Sequence, residues 1–307
     1  MTAVLTSLGT MAAIAAVGWL LGRLRVLGDG AQLVLAKTVF MVATPSLLVA
    51  TIATADLHLL LTAPALVTAV STALVALVAL TVLRLLLRRS VGDSTIGALA
   101  ASYLNAGNLG LPLSVYLLGN PVAVVPTLLF QLLVLAPVSF VVLEARGSGT
   151  GRRALLTGLG GALRNPIIIA ALVGVAVSLL PVTPPDWLLN PFQLVGAAAA
   201  PLALLMLGMS LTGARRSATR APLPDLALAV VLRSLVHPLL AWGLGAWLGL
   251  SGPALFGVVA MSALPTAQNV LVYAMRYGTG QPIARDAQLV TTVLAVPLLV
   301  VVAVLLG

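Results

Sequence analysis

Cysteine is absent from the chain, so neither a disulfide framework nor a thiolate metal site is available. Charge is scarce as well, at 7% of the 307 residues against 61% hydrophobic. The seven acidic residues are Asp29, Asp56, Asp93, Glu144, Asp186, Asp225 and Asp286, and all fall in loops or at the ends of apolar segments. Carboxylate-based proton or sodium exchange inside a membrane is therefore disfavoured, because such carriers place an ionisable group there. Alternating strand patterns are missing, which argues against an outer-membrane barrel. The amino terminus has no basic n-region and no evident cleavage site, so Thr2 to Leu21 is expected to be a retained first span.

What is present is hydrocarbon. Mean hydropathy is +1.16, more apolar surface than a soluble globule can hide, and the expected class is an all-α polytopic membrane protein. Ten apolar segments are legible, near 3–22, 33–52, 59–83, 95–118, 122–143, 165–181, 191–211, 229–250, 253–276 and 287–306. All sixteen basic residues fall in the odd-numbered breaks, counting Arg233 with the seventh break, and none in the even-numbered ones. Short basic loops stay cytoplasmic, so both termini are expected outside, in the inner (plasma) membrane. The same placement makes the net charge of +9 a topology signal with anionic-lipid contacts, and excludes nucleic acid as partner. Arg164 and Arg233 are expected to snorkel to the inner surface, and His237 to pack. Residues 151–164 read as an amphipathic helix on that surface.

Two spans carry the chemistry. Ser102 to Pro112 places Asn105, Gly107, Asn108, Gly110 and Pro112 at membrane depth, and Ser262 to Asn269 places Pro265, Thr266, Gln268 and Asn269 there. Proline removes a backbone donor and crowds the carbonyl four residues back, while glycine eases departure from helical geometry. Opened backbone survives at that depth only when buried in protein or lining a wet cavity. A pair of interrupted segments in corresponding halves points to a transporter site. Gly107, Gly110, Pro112 and Pro265 are the expected helix-breaking residues. Asn105, Asn108, Gln131, Thr266, Gln268 and Asn269 are the candidate substrate ligands. Asn108 and Asn269 serve equally well as caps of the bared backbone, and Thr266, Gln268 and Gln131 as bonds to a neighbouring helix. No metal site and no cofactor is expected.

An odd number of spans before the glycine-rich linker inverts the second five relative to the first. The proline pairs Pro45 and Pro201, Pro64 and Pro238, Pro112 and Pro265, and Pro137 and Pro297 fall in equivalent spans. The expected units are residues 1–144 and 165–307, joined by 145–164, as a 5+5 inverted repeat. The run Gly196 to Ala200 reads as close helix packing and a candidate dimer face.

These residues resemble the auxin efflux carrier (PIN-like) family. The resemblance rests on Asn105 seven residues before Pro112, the Asn165-Pro166-Ile-Ile-Ile start of span six, Pro265 with Asn269, and Gln131 thirteen residues before Glu144. It implies the crossover fold of bile-acid symporters and sodium/proton antiporters, in which broken helices 4 and 9 cross. It also implies a scaffold of spans 1, 2, 6 and 7, a transport domain of spans 3–5 and 8–10, small organic anions as substrate, and homodimers through the scaffold. The long central loop of the plant carriers is lacking here.

The expected function is export of small organic anions, auxin-like or dicarboxylate, electrogenic and by alternating access. A sodium-coupled symporter of bile-acid type is the alternative. An intramembrane enzyme is disfavoured, with two histidines, no buried acid and no Gly-x-Ser-x-Gly.

Overall fold

The computed structural model describes residues 2–28, 30–55, 58, 61–110, 113–114, 118, 121–146, 156–157, 160–161, 163–180, 184–213 and 220–307. Among these residues all regular structure is helical. The helices are α1 (Thr2–Leu24), α2 (Ala31–Ala53), α3 (Ala63–Leu86), α4 (Val91–Ser102), α5 (Val125–Glu144), α6 (Pro166–Ser178) and α7 (Asp186–Ala197, continuing past a kink as Ala199–Gly213). They continue with α8 (Leu223–Trp247), α9 (Gly252–Ser262), α10 (Asn269–Tyr277) and α11 (Gln281–Leu306). Six of them, α2, α3, α5, α7, α8 and α11, are long and apolar enough to cross a bilayer. Most of the expected inner-surface helix at 151–164, and Pro112, lie outside the described residues.

Helices form here because a segment in hydrocarbon must satisfy its own backbone. Their starts follow local chemistry. The Thr62 hydroxyl accepts from Ala65 N–H at 3.4 Å, that of Ser90 from Asp93 N–H at 3.0 Å, and Asn165 Oδ1 from Ile167 N–H at 2.9 Å. Prolines leave a second mark. Pro45, Pro137 and Pro238 each follow a widened π turn, at Val39–Ala43, Gln131–Leu135 and Leu232–Val236. A proline cannot donate to the carbonyl four residues back and its ring crowds that oxygen, so the preceding turn opens to relieve the contact.

Packing sorts the helices. α1 runs along the second part of α7, and α2 lies between α6 and α7. A Cβ on Gly208 would stand 1.9 Å from the Ala15 carbonyl oxygen, and one on Gly18 2.2 Å from that of Leu205, so glycine permits this approach. α3, α4, α5, α8, α9 and α11 pack mainly among themselves, and α10 touches both sets. Gly196, expected on a dimer face, is buried against Leu47 of α2, so that position of the small-residue run is spent inside the chain.

Two expectations are corrected. The eighth helix begins at Leu223 rather than near 229, which carries Arg233 ten residues into α8, about 15 Å by helical rise. Arg233 is then 1% exposed instead of reaching the inner surface.

Candidate functional site

α4 stops at Ser102, and Tyr103 turns to extended geometry (φ −82°, ψ 110°) before the chain re-enters a wide turn at Ala106–Gly110. α9 stops at Ser262, and Leu264 to Ala267 run unwound until α10 begins at Asn269. The two unwound stretches pair with each other as an antiparallel bridge at Leu104 and Thr266. Asn105 N–H donates to Pro265 O at 2.9 Å, and Ala267 N–H to Tyr103 O at 3.0 Å. Further amides freed by unwinding are taken up by side chains. Leu104 N–H donates to Gln131 Oε1, and Thr266 N–H to Thr291 Oγ1 at 3.0 Å. The Thr266 hydroxyl donates to Ala100 O at 2.6 Å. Buried backbone is affordable at this depth because it is bonded this way.

A cavity of about 550 Å³ lies against the breaks. Its walls come from α2 (Thr44 to Ala55), the start of α5, the kink region of α7 and both unwound stretches. Asn105, Gln131, Gln268 and Asn269 line it, with Gly107 open to it. Thr44, Thr51, Thr54 and Gln193 add neutral polar groups, and no lining residue is charged. Asn105 and Gln268 are each 2% exposed. Gln268 Nε2 sits 3.5 Å from Ala200 O, and its Oε1 has no hydrogen-bond partner among the described residues. Thr266 does not line the cavity; its hydroxyl and amide brace the frame. Gly110 packs under Val124 and Leu264. The Asn108 side chain lies outside the described residues. Four of the six candidate ligands thus share one cavity.

Behind the breaks, away from the cavity lining, sits the residue that sequence reasoning misplaced. Arg233 Nη1 donates to Ser102 O at 3.1 Å, and Nη2 donates to Ser262 O, so one guanidinium touches the last helical residue of both α4 and α9. Nη2 also lies 2.6 Å from His237 Nδ1. Arginine only donates, so Nδ1 accepts and the ring proton belongs on Nε2, which faces the hydroxyls of Ser71 (3.3 Å) and Thr72 (3.2 Å) on α3. The signal was available: Arg233 and His237 stand four apart and share a face once the helix is started at Pro222 to Pro224.

The cavity runs toward the end of the bundle where α2 finishes and α5 begins. Past Tyr103, which lines the cavity, stands a cluster of rings. Tyr103 meets Tyr273 edge to face at 6.0 Å, Tyr273 meets Phe140 at 4.8 Å and Phe40 at 6.2 Å. Beyond them the Tyr277 hydroxyl donates to Glu144 Oε1 at 3.0 Å and accepts from Asn165 Nδ2 at 3.1 Å, joining α5, α6 and α10. At the start of α4, Asp93 accepts from Thr279 Oγ1 (2.7 Å), Gly280 N–H (2.9 Å) and Ser90 Oγ (2.6 Å). Burial pushes its carboxyl up, but these bonds and the Arg146 charge outweigh it and hold the group below its ordinary value.

A sequence model of the family described as "Membrane transport protein" matches residues 3–150 and 150–303. A relative from Rhizobium meliloti (strain 1021), named "Putative malonate transporter", is 31% identical over 240 residues, 75% of this chain and 72% of its own.

Proposed function

The chain belongs to the membrane transport protein family, the auxin efflux carriers of the resemblance, and from that premise we propose that it carries small organic anions across the membrane. It is a multi-pass membrane transporter and not an enzyme. The observation that carries the anion reading is the uncharged cavity at two paired helix breaks, with the amino end of α10 at its wall. A helix amino terminus presents about half a positive charge and unpaired N–H groups, which suits a carboxylate. Asn105, Asn269 and Gln268 add neutral donors, and Gln131 holds the unwound stretch in place. Neutral donors favour release, since a fixed cation facing a carboxylate would hold it too well. The relative's name makes malonate the first substrate to try.

The mechanism we assign is alternating access. Ten crossings, with α4 and α9–α10 as the broken fourth and ninth, make two inverted units over 1–144 and 165–307. The set α3–α5 and α8–α11 moves against α1, α2, α6 and α7, and the cavity lies between the sets. With both termini outside, this reading makes the cavity side the outer one and the ring cluster the inner gate. Export of a monoanion across 100 mV gains about 2.3 kcal/mol, roughly a fiftyfold gradient, without a coupled ion.

Current recording on solid-supported membranes tests this. Malonate, malate and indole-3-acetate jumps should give substrate currents with the wild type, and Asn105→Ala should cut them severalfold. Equal currents from both would remove Asn105 from the site. Uptake that requires sodium and carries no current would favour the bile-acid-type symporter.

A further inference from the structure

We infer that Arg233 is the positioning residue that makes the site attractive to anions, although it never faces the cavity. The inference rests on the anion reading above. Three half-helix ends meet in the middle of the bundle, those of α4, α9 and α10. Two are carboxyl ends, at Ser102 and Ser262, each worth about half a negative charge. Unbalanced, they would offset the positive end that α10 shows to the cavity, and an approaching carboxylate would feel little. The single charge of Arg233 lies on both carbonyls at once and equals their sum. The amino end of α10 is then the uncancelled field on the cavity side.

The choice of counter-charge matters. Among the described residues no carboxylate pairs with Arg233, so its field is not spent on an acid. It is 1% exposed, and burying a cation is costly unless its donors are engaged: Nη1 and Nη2 are, while Nε has no hydrogen-bond partner among the described residues. His237 adds a third contact, at Nη2, and its own ring is held by Ser71 and Thr72. On the cavity side, Gln268 at the head of α10 is 2% exposed, with Oε1 unpartnered among the described residues. That oxygen only accepts, so any bond from Gln268 to a carboxylate must come from Nε2, which carries two N–H groups and reaches Ala200 O at 3.5 Å with one of them. Ser102 and Asn105 are three residues apart on extended chain, so the guanidinium acts over roughly 10 Å. At an effective dielectric of about 20, a unit charge at that distance changes anion affinity about ten- to twentyfold.

The test uses the purified full chain in lipid nanodiscs, with malonate and indole-3-acetate titrated by calorimetry and thermal midpoints recorded alongside. Arg233→Gln keeps donors for a carbonyl and deletes the charge; Arg233→Lys keeps the charge with fewer donors. Folded R233Q should bind the anion that the wild type binds about tenfold or more weakly, while R233K stays within about threefold despite a lowered midpoint. Transport should show the same split, in KM rather than kcat. Equal affinity in wild type and folded R233Q overturns the inference and leaves the anion reading standing. If R233Q does not fold, R233K decides: a loss beyond tenfold in folded R233K contradicts a charge-based role. A wild type that binds neither anion sinks the anion reading and this inference together.

Discussion

At the scale of single residues, the site separates groups that face the cavity from groups that hold it. Asn105 stood out in the sequence as an amide beside glycine and proline in an apolar span, and Gln131 through its spacing to Glu144 in the family resemblance. Thr266 was legible only as a polar residue at depth. That its hydroxyl turns to Ala100 O depends on how two distant stretches pair, which no local pattern encodes. Arg233 was hidden by the habit of assigning basic residues to loops. Asp93 makes a prediction of its own. Its native pKa is depressed, so its contribution to stability is complete above the unfolded value near 4 and is lost as pH falls through the lower native value. Thermal midpoints of wild type and Asp93→Asn in nanodiscs should differ at pH 6 and converge toward pH 3. Parallel curves would show that the carboxylate network does nothing for the fold.

At the scale of elements, interruption is the theme. The breaks in α4 and between α9 and α10 were expected from Gly107, Gly110, Pro112 and Pro265, whereas the π turns before Pro45, Pro137 and Pro238 were not. Proline announces a distortion without saying whether the helix ends or merely widens; neighbouring donors decide that. In the proposed alternating-access cycle the ring cluster is the inner gate and Tyr277, bonded to Glu144 and Asn165, its latch. Tyr277→Phe removes both hydrogen bonds. At about 1 kcal/mol net, that moves the balance toward the inward-open form roughly fivefold. Because the chain lacks native cysteine, a single Ala274→Cys reporter can read it with an impermeant maleimide from the inner side. Labelling should speed up severalfold in the Tyr277→Phe background; an unchanged rate would mean that Tyr277 is not a latch.

At the scale of the whole molecule, composition gave the class, and the charge pattern sets the orientation the proposed function uses. Helical packing followed from the apolar runs, and close contacts such as α1 against α7 follow from small residues at Gly18 and Gly208. The meeting of residues 103–105 with 265–267 was legible only through the family resemblance, which implies that the fourth and ninth helices cross; the backbone bonds that join positions some 160 residues apart carry no sequence signature of their own. The account of function rests on that meeting. Its most direct test is a crystal structure with bromomalonate, whose bromine reports position by anomalous scattering. The account predicts one peak in the cavity, with the carboxylates within hydrogen-bond reach of Asn105 and the amino end of α10. A peak elsewhere, or density for continuous helices through 102–110 and 262–270, would contradict it.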